Sequence, residues 1–219
     1  MNKLLLFFAI CFLTNCSSID TSRIAPGYGE AFKTFKNAVF GFEDNKISPS
    51  VINNIPYASS LLKIGKGPTG LLILESKNDE IETWISADKV ILLIKNGRII
   101  RTSGLQNNLD KLISPYSSFK DLKHDYSNGP YKTYLSYDKP SLINLEIEIK
   151  VRIRGIEKVK LFNREINLTL IEEEMVNKTI GWKRVNKYWV DEEYFVWKSE
   201  QYISPKLPKF ILEITKKPS

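Results

Sequence analysis

Few residues of this chain have the chemistry of a catalyst. Its 219 residues include one histidine, His124, and two cysteines, Cys11 and Cys16. A thiol protease or a His/Cys zinc site needs more of these side chains than the chain supplies. His124 stands beside Asp125 in the polar segment KHDYSNG, a pattern typical of solvated surface. The glycine-rich segment at 65–70, GKGPTG, lacks the GKS or GKT ending of a phosphate-binding loop.

We therefore predict no catalytic residue, no metal site and no cofactor. The chain has 25 Asp and Glu residues, so a carboxylate pair of the kind that hydrolyses glycosidic bonds is the enzymatic arrangement that the composition leaves open. The run Glu172-Glu173-Glu174 is the densest acidic cluster, and its context favours a solvated strand end.

Cys16 has a different kind of chemistry, set by its position. Lys3 precedes ten apolar residues, Leu4 to Leu13, a run too short to span a bilayer, which takes about 20 residues. Such a run is typical of the central part of a secretory signal peptide. The order Leu13-Thr14-Asn15-Cys16 resembles the bacterial lipobox, in which the cysteine thiol receives a diacylglyceryl group before cleavage on its N-terminal side.

The lipobox predicts three parts of the chain: a lipoprotein signal peptide at 1–15, a lipidated tether at 16–27 and one folded domain at 28–219. After cleavage the protein has no free thiol, because Cys11 leaves with the signal peptide and Cys16 becomes a thioether. The lipid anchors the protein to a membrane. Ser17 and Ser18 follow the cysteine in place of the aspartate associated with inner-membrane retention, so we expect the outer membrane, with the domain facing the periplasm.

Composition indicates a globular domain with a modest positive charge. The hydrophobic fraction is 42%, the aromatic fraction is 11% and the net charge is +7, values that exclude a disordered chain. Lysines and arginines are spread along the chain, so we predict no nucleic-acid partner. A positive charge would attract an anionic polysaccharide or phospholipid headgroups, but charges spread in this way favour an ordinary solvated surface over a specific anionic partner.

The elements that would position these residues are mostly strands. Apolar residues at helical spacing predict one amphipathic helix from Tyr28 to Phe42, and Ser48-Pro49 predicts the start of a short second helix. After Pro56 strand signals dominate. We expect a mainly β fold: a single antiparallel, strongly curved sheet, or a barrel- or sandwich-like domain, with one or two short N-terminal helices.

The clearest strand signal lies at 143–154, INLEIEIKVRIR. Aliphatic residues alternate there with Asn, Glu, Lys and Arg, which predicts one aliphatic face toward a core and one charged face toward water or a polar partner. Gly155 is placed to end or bend this strand. The charged face is a candidate interaction surface.

Other segments follow the same logic. We predict strands at 69–76, at 82–104 with a type I′ hairpin turn at Asn96-Gly97, and at five later segments, 157–163, 165–174, 180–190, 194–203 and 209–216. Residues 105–113 are predicted to form one or two helical turns, and 114–130 a long loop.

Two clusters combine tryptophan with polar residues, which suits either core packing or stacking on sugar rings. We treat eight of their members as a candidate surface for a partner protein or polysaccharide: Trp84, Asp88, Arg98, Thr102, Trp189, Asp191, Ser199 and Gln201.

Taken together, the two clusters carry a family resemblance. The pattern W-x-S-x-D at 84–88, the segment NGRIIRTSGL at 96–105, and YWVD with V-x-K-S-x-Q at 188–201 stand in an order and spacing that resemble the YjbF/GfcB family of group 4 capsule polysaccharide lipoproteins. The stretch IPYAS at 55–59 and the closing segment after Ile203 fit the same pattern. The chain departs from the family at 192–194, where Glu-Glu-Tyr replaces a common Thr-Gly turn.

The resemblance implies an outer-membrane lipoprotein that serves exopolysaccharide or capsule secretion as a non-enzymatic accessory component. Its expected partners are outer-membrane or periplasmic polysaccharide-export proteins. Two alternatives remain open. A periplasmic lipid or lipoprotein carrier would have a large apolar cavity, and a polysaccharide-modifying enzyme would have two or three acids converging in a cleft beside exposed aromatic rings.

Overall fold

The structure is a computed structural model that describes residues 47–113, 118–124, 130–139 and 141–218. These residues belong to one compact unit that spans Glu43–Ser219. The signal peptide, the tether with Cys16 and the helix expected at 28–42 lie outside the described residues. In the part of the chain that the structure covers, no helix is both long and apolar enough to cross a bilayer.

A short helix opens the described chain and strands make up most of the rest. Helix α1 is Pro49–Asn54, and a 3-10 helix spans Phe119–His124. The strands are β1 Ser59–Ile64, β2 Thr69–Asn78, β3 Ile81–Ser86, β4 Ile91–Lys95, β5 Arg98–Ser103, β6 Leu109–Ile113, β7 Tyr131–Asp138, β8 Ser141–Leu161, β9 Arg164–Asn177, β10 Trp182–Val190, β11 Val196–Gln201 and β12 Phe210–Lys216.

All twelve strands form one antiparallel sheet in the order β5-β4-β3-β2-β1-β12-β11-β10-β9-β8-β7-β6. Strands that follow one another in the chain are hydrogen-bonded neighbours, except β5 and β6, which form the two edges of the sheet. The last strand returns to pair with the first, from Ser59 opposite Lys216 to Ile64 opposite Phe210. The predicted mainly β, antiparallel and strongly curved fold is confirmed.

Side chains close the sheet into a near-barrel where its two edge strands, β5 and β6, meet. The Leu109 amide N–H donates to Thr102 Oγ1 at 2.9 Å, and Arg101 Nη2 lies 3.7 Å from Asp110 Oδ1. Side-chain contacts therefore join the two edge strands at the seam.

The β4–β5 hairpin turns at Asn96-Gly97, as the sequence predicts. Both residues have positive φ, 48° and 79°, which a type I′ turn requires at its two central positions. Gly97 is needed for a second reason, because a Cβ at this position would lie 2.3 Å from Cγ2 of Val196 on β11. The turn therefore packs directly against the strand across the barrel.

Strand β8 follows the predicted alternation only in its middle. Ile147 and Ile149 are buried, but Ile143 is 76% exposed and Ile153 is 39% exposed, so the prediction of one continuous aliphatic face is wrong at these two positions. Asn144, between Ile143 and the buried part, has a φ of 56°, and the β8–β9 register shifts between Ile153 and Gly155. Each irregularity changes the face of the sheet toward which the following side chains point.

Beyond Gly155, strand β8 does not end but continues to Leu161. The β8–β9 hairpin thus extends past β7, and its tip reaches β12, where the Phe162 amide N–H donates to the Glu213 carboxylate. Buried residues of the hairpin pack against Trp189 of β10 in a small separate core: Val159, Leu161, Leu168 and Leu170.

Three further predictions are corrected by the strand assignment. Residues 109–113, expected in helical turns, form β6, because Leu109 to Ile113 pair with β7. The strand expected at 82–95 is two strands, β3 and β4, separated by a turn in which Lys89 has a φ of 64°. The loop expected at 114–130 includes the 3-10 helix, whose Phe119 and Leu122 are buried against Tyr188, Val190 and Val196.

Candidate functional site: buried network, outer face and rim groove

Six of the eight candidate surface residues lie in the interior. Their exposed fractions run from 0% for Trp84 and Gln201 to 8% for Trp189, with Arg98, Thr102 and Ser199 in between. The prediction that these six side chains line a surface is therefore wrong. Only Asp88 is exposed and Asp191 is partly exposed.

The two buried tryptophans and Thr102 can lie in the interior because the indole N–H groups and the threonine hydroxyl each have a hydrogen-bond partner. Trp84 Nε1–H donates to Glu82 Oε2 at 3.0 Å, and Trp189 Nε1–H donates to Glu157 Oε2 at 3.0 Å. Thr102 accepts from Leu109 at the seam. An indole can thus contribute its large apolar area to the core without leaving its N–H unsatisfied.

Arg98 forms a buried ion pair with Glu173. Their side chains are 4% and 1% exposed, and Arg98 Nη2 donates to Glu173 Oε1. The guanidinium also lies over two aromatic rings, 5.0 Å from the centroid of Phe119 and 5.5 Å from that of Tyr188. Glu173 is therefore no part of a solvated strand end, which corrects the expectation for 172–174.

Gln201 joins the β4–β5 hairpin to β11 inside the barrel. Its Oε1 accepts the Ile99 amide N–H at 3.0 Å, and its Nε2 donates to the Gly97 carbonyl at 2.9 Å and to Ser199 Oγ at 2.8 Å. The Gln201 side-chain amide therefore forms hydrogen bonds with the backbone of the β4–β5 hairpin, as the backbone of a neighbouring strand would do. Gln201 and Ser199 thus have a structural role in the interior.

The two more accessible acids organise turns. Asp191 Oδ1 accepts the amide N–H groups of Glu193 and Phe195 at 3.0 and 2.9 Å, and its Oδ2 accepts Trp197 Nε1–H at 2.9 Å. Tyr194 closes this turn with a φ of 64°. In the β3–β4 turn, Asp88 accepts a hydrogen bond from Ser86.

The charged face predicted for 143–154 exists on the middle of β8 and continues across β9 and β10. Glu174 lies between Arg152 and Lys183, at 3.0 and 2.5 Å, and Glu172 lies between Arg154 and Lys187, at 2.6 and 3.7 Å. Four cations therefore surround two acids. The hydrogen bond from Lys183 lowers the pKa of Glu174 below its usual value. We call these six residues the outer face.

A groove opens at the end of the barrel where the β2–β3, β4–β5 and β10–β11 hairpins turn and β12 ends. Its volume is about 310 Å³, at the lower end of the range for small-molecule sites, which often occur in the mouths of β-barrels. We call it the rim groove. Its lining includes apolar residues of three strands: Ile94, Val196, Leu212 and Ile214.

Aromatic and charged residues complete the rim groove. Tyr194, Phe195 and Trp197 line it, together with three lysines and three acids. The Phe195 and Trp197 rings meet edge to face with centroids 5.0 Å apart. Lys217 Nζ lies 4.5 Å from the Phe195 centroid, and the Arg164 guanidinium lies 4.2 Å from that of Trp197. The aromatic side of the groove is therefore held in place by its neighbours.

The partly buried carboxyl of Glu82 is one of the acids that line the rim groove. Burial raises the pKa of its carboxyl above the ordinary value, a shift opposed by the hydrogen bond from Trp84 and by the charge of Lys77. The sequence motifs identify none of Glu82, Phe195 and Lys217 as site residues. The aromatic segment YFVW at 194–197 was a signal for Phe195, but nothing in the pattern links it to Glu82 or Lys217.

The effect of burying the Glu213 carboxyl can be tested through the pH dependence of stability. Burial raises the pKa of its carboxyl, against the opposing hydrogen bond from Phe162. A raised folded-state pKa stabilises the fold below the unfolded value, about 4.3, and this contribution is lost as the pH rises through the folded-state pKa. We expect Glu213→Gln, which keeps an acceptor oxygen, to gain stability relative to the wild type between pH 4 and pH 7.

Urea unfolding of both proteins at the two pH values measures this difference. Glu165→Gln is the matched control, since Glu165 pairs with Lys158 while 52% exposed. A Glu213→Gln effect that is the same at both pH values would contradict the proposed role of burial.

Within the described residues, no group of three or more His, Cys, Asp or Glu side chains is arranged to hold a metal ion. The backbone of His124 ends the 3-10 helix, and its side chain lies outside the described residues. The accessible groups of the two surfaces are charges on the outer face, and aromatic rings with charges in the rim groove.

By fold, the protein is a mainly β domain with a single antiparallel sheet. The crystal structure of the hypothetical lipoprotein YmcC from Escherichia coli (K12) is similar to it with a TM-score of 0.67 and 20% sequence identity, covering 85% of this chain and 95% of that one. At this identity the likeness establishes the fold alone.

The sequence comparisons establish the family. The model of the family described as "Group 4 capsule polysaccharide lipoprotein gfcB, YjbF" matches residues 32–215, and the chain belongs to this family. It is 24% identical to the lipoprotein YjbF of Escherichia coli (strain K12) over 89% of this chain and 88% of that protein. It is 23% identical to the lipoprotein GfcB of the same strain, over 87% and 86%. The predicted family resemblance is confirmed.

Proposed function

We propose that this protein is an outer-membrane lipoprotein, anchored through Cys16, that serves capsule or exopolysaccharide secretion as a non-enzymatic accessory component. The family match over residues 32–215 carries the proposal, and the lipobox that ends at Cys16 supplies the anchor. Its domain faces the periplasm, where its partners are polysaccharide-export proteins of the envelope.

The packing of the barrel supports an assembly role over a carrier role. A lipid carrier needs a large apolar cavity, whereas large side chains fill the interior of this sheet, among them Trp84, Tyr188 and Phe210. The outer face is the surface that we assign to a protein partner, because the side chains of its four cations are exposed and lie beside two partly exposed acids, so that it carries both signs of charge. Arg152 and Arg154, for example, are 51% and 49% exposed.

A gene deletion tests this proposal. We expect the deleted strain to lose surface polysaccharide and to regain it with the wild-type gene, but not with Cys16→Ser, which has no thiol for the lipid. Cys11→Ser is the matched control, because this residue leaves with the signal peptide and its replacement should restore the polymer fully. Membrane fractionation should place the wild type and Cys11→Ser in the outer membrane, and Cys16→Ser outside it.

Two results would overturn the proposal. Unchanged surface polysaccharide in the deleted strain, under conditions where the pathway is expressed, would remove the role in secretion. Full restoration by Cys16→Ser would remove the requirement for the anchor.

The rim groove keeps one alternative as a second candidate. A polysaccharide-modifying enzyme needs acids beside aromatic rings, and Asp79, Glu80 and Glu82 line the groove with Phe195. A carboxyl whose pKa is raised by burial, as in Glu82, suits a general acid. Cleavage of the polymer by the wild type and its loss in Glu82→Gln would establish this activity. Intact polymer after incubation with the wild type would remove it.

A further inference from the structure

We infer that the rim groove is a binding site for a neutral saccharide. This inference rests on the proposed function for the choice of polymer, but the groove itself supplies the chemistry. It has an apolar floor, an aromatic side formed by Tyr194, Phe195 and Trp197, and a rim of three lysines and three acids.

The charges of the rim select against two other ligand classes. The lysines Lys77, Lys198 and Lys217 are balanced by the acids Asp79, Glu80 and Glu82. A polyanion would need a net positive charge on the rim. The rim has none, because its three lysines and three acids balance. An acyl chain would leave six charged groups beside apolar surface, where they lose water without gaining partners.

A neutral sugar matches all three parts of the groove. Its hydroxyl groups both donate and accept, so the same molecule pairs with carboxylates and with ammonium groups. Its C–H face is apolar and suits contact with aromatic rings. This combination of an apolar surface with a few directed polar groups is the general pattern of small-molecule sites.

Two residues of the groove, Glu82 and Phe195, already have positions that suit such a ligand. Glu82 Oε2 accepts one hydrogen bond, from Trp84, and a carboxylate has capacity for about four, so acceptor positions remain for ligand hydroxyls. Phe195 is fixed by Trp197 on one side and by Lys217 on another. Because these positions are set before binding, little conformational freedom is lost when the ligand enters.

The groove therefore changes the expectation about charge. The positive net charge of the chain would attract an anionic polysaccharide, whereas the charges that line the rim groove are balanced. The rim groove instead takes the neutral sugar units of the polymer. Neutral and acidic pieces of the polymer therefore separate these two expectations in a single experiment.

The test uses the detergent-extracted lipoprotein and the bacterium's own surface polysaccharide. The polymer is cleaved to oligosaccharides and divided by anion exchange into a neutral and an acidic fraction. Binding is followed by tryptophan fluorescence, because Trp197 lines the groove, and by calorimetry. We expect the neutral fraction to bind the wild type, and Phe195→Ala to bind it at least about tenfold more weakly.

Glu82→Gln is the second groove variant, since it keeps the shape of the side chain and an acceptor for Trp84. We expect severalfold weaker binding of the neutral fraction. Arg154→Ala, on the outer face, is the matched control and should bind the neutral fraction as the wild type does. Circular dichroism and urea unfolding establish that each variant is folded.

Three results would overturn the inference: neither fraction binds the folded wild type; only the acidic fraction binds; or both folded groove variants bind the neutral fraction as well as the wild type. These outcomes are independent of the gene deletion. A strain that keeps its polymer after deletion would refute the secretion role, while the groove could still bind sugar in vitro.

Discussion

Urea unfolding of Glu173→Leu is expected to show a loss of about 3–5 kcal/mol relative to the wild type, because the substitution leaves the Arg98 charge buried without its carboxylate. Both side chains are at most 4% exposed. The contacts of the guanidinium with Phe119 and Tyr188 cannot replace the lost charge. The tilted contact between the rings of Phe119 and Tyr188, with centroids 4.7 Å apart, should weaken as well, since Arg98 lies over both rings.

Two comparisons make this result specific. Glu165→Leu, the same substitution on the same strand at an exposed pair with Lys158, should cost about 0–1 kcal/mol. The double variant Arg98→Met with Glu173→Leu removes both charges and should recover most of the loss, because replacing a whole buried pair is often neutral. A double variant as unstable as the sum of the two single variants would show that the ion pair is not the cause.

Gly97→Ala is expected to cost about 2–5 kcal/mol. Two effects add: an alanine at a φ of +79° is in the left-handed region, which costs roughly 1–2 kcal/mol, and overpacking costs typically about 1–3 kcal/mol. The second effect arises because the new Cβ would meet Val196 Cγ2 at 2.3 Å. Thermal or urea unfolding measures the sum.

Gly181→Ala separates the two effects. Gly181 has a φ of +63°, but a Cβ there meets nothing within 4 Å, so this control should lose only the roughly 1–2 kcal/mol of the backbone term. On a Val196→Gly background, which also removes the Val196 Cβ that would lie 2.5 Å away, Gly97→Ala should cost about as much as Gly181→Ala. If the cost stays large on that background, the contact with β11 is not its source.

Local features of this fold could be predicted from local patterns. The alternation in the middle of β8 placed Ile147 and Ile149 in the core, because the face of a side chain on a regular strand depends only on its neighbours. Asn96-Gly97 predicted its turn because these residue types tolerate positive φ. Where the backbone departs from regularity, as at Asn144 and Gly155, the same pattern failed.

The interior positions of the candidate residues could not be predicted, because their partners are distant in sequence. Gln201 pairs with Ile99, 102 residues away, and Arg98 pairs with Glu173, 75 residues away. A polar residue without a known partner is expected at the surface, so both were assigned there. Strand β6 was missed for a similar reason, since its five residues form a strand only through pairing with β7.

The pairing of the first strand with the last has a consequence for how the molecule is made. Ser60 and Ile214 are opposite one another in the middle of the sheet, so the central ladder has the largest sequence separation, and contacts of this kind form slowly. Newly synthesised chain can build its early hairpins, but the barrel stays incomplete until β12 emerges. For a chain that carries a predicted export signal, this order of events delays the native fold until β12 is available to pair with β1.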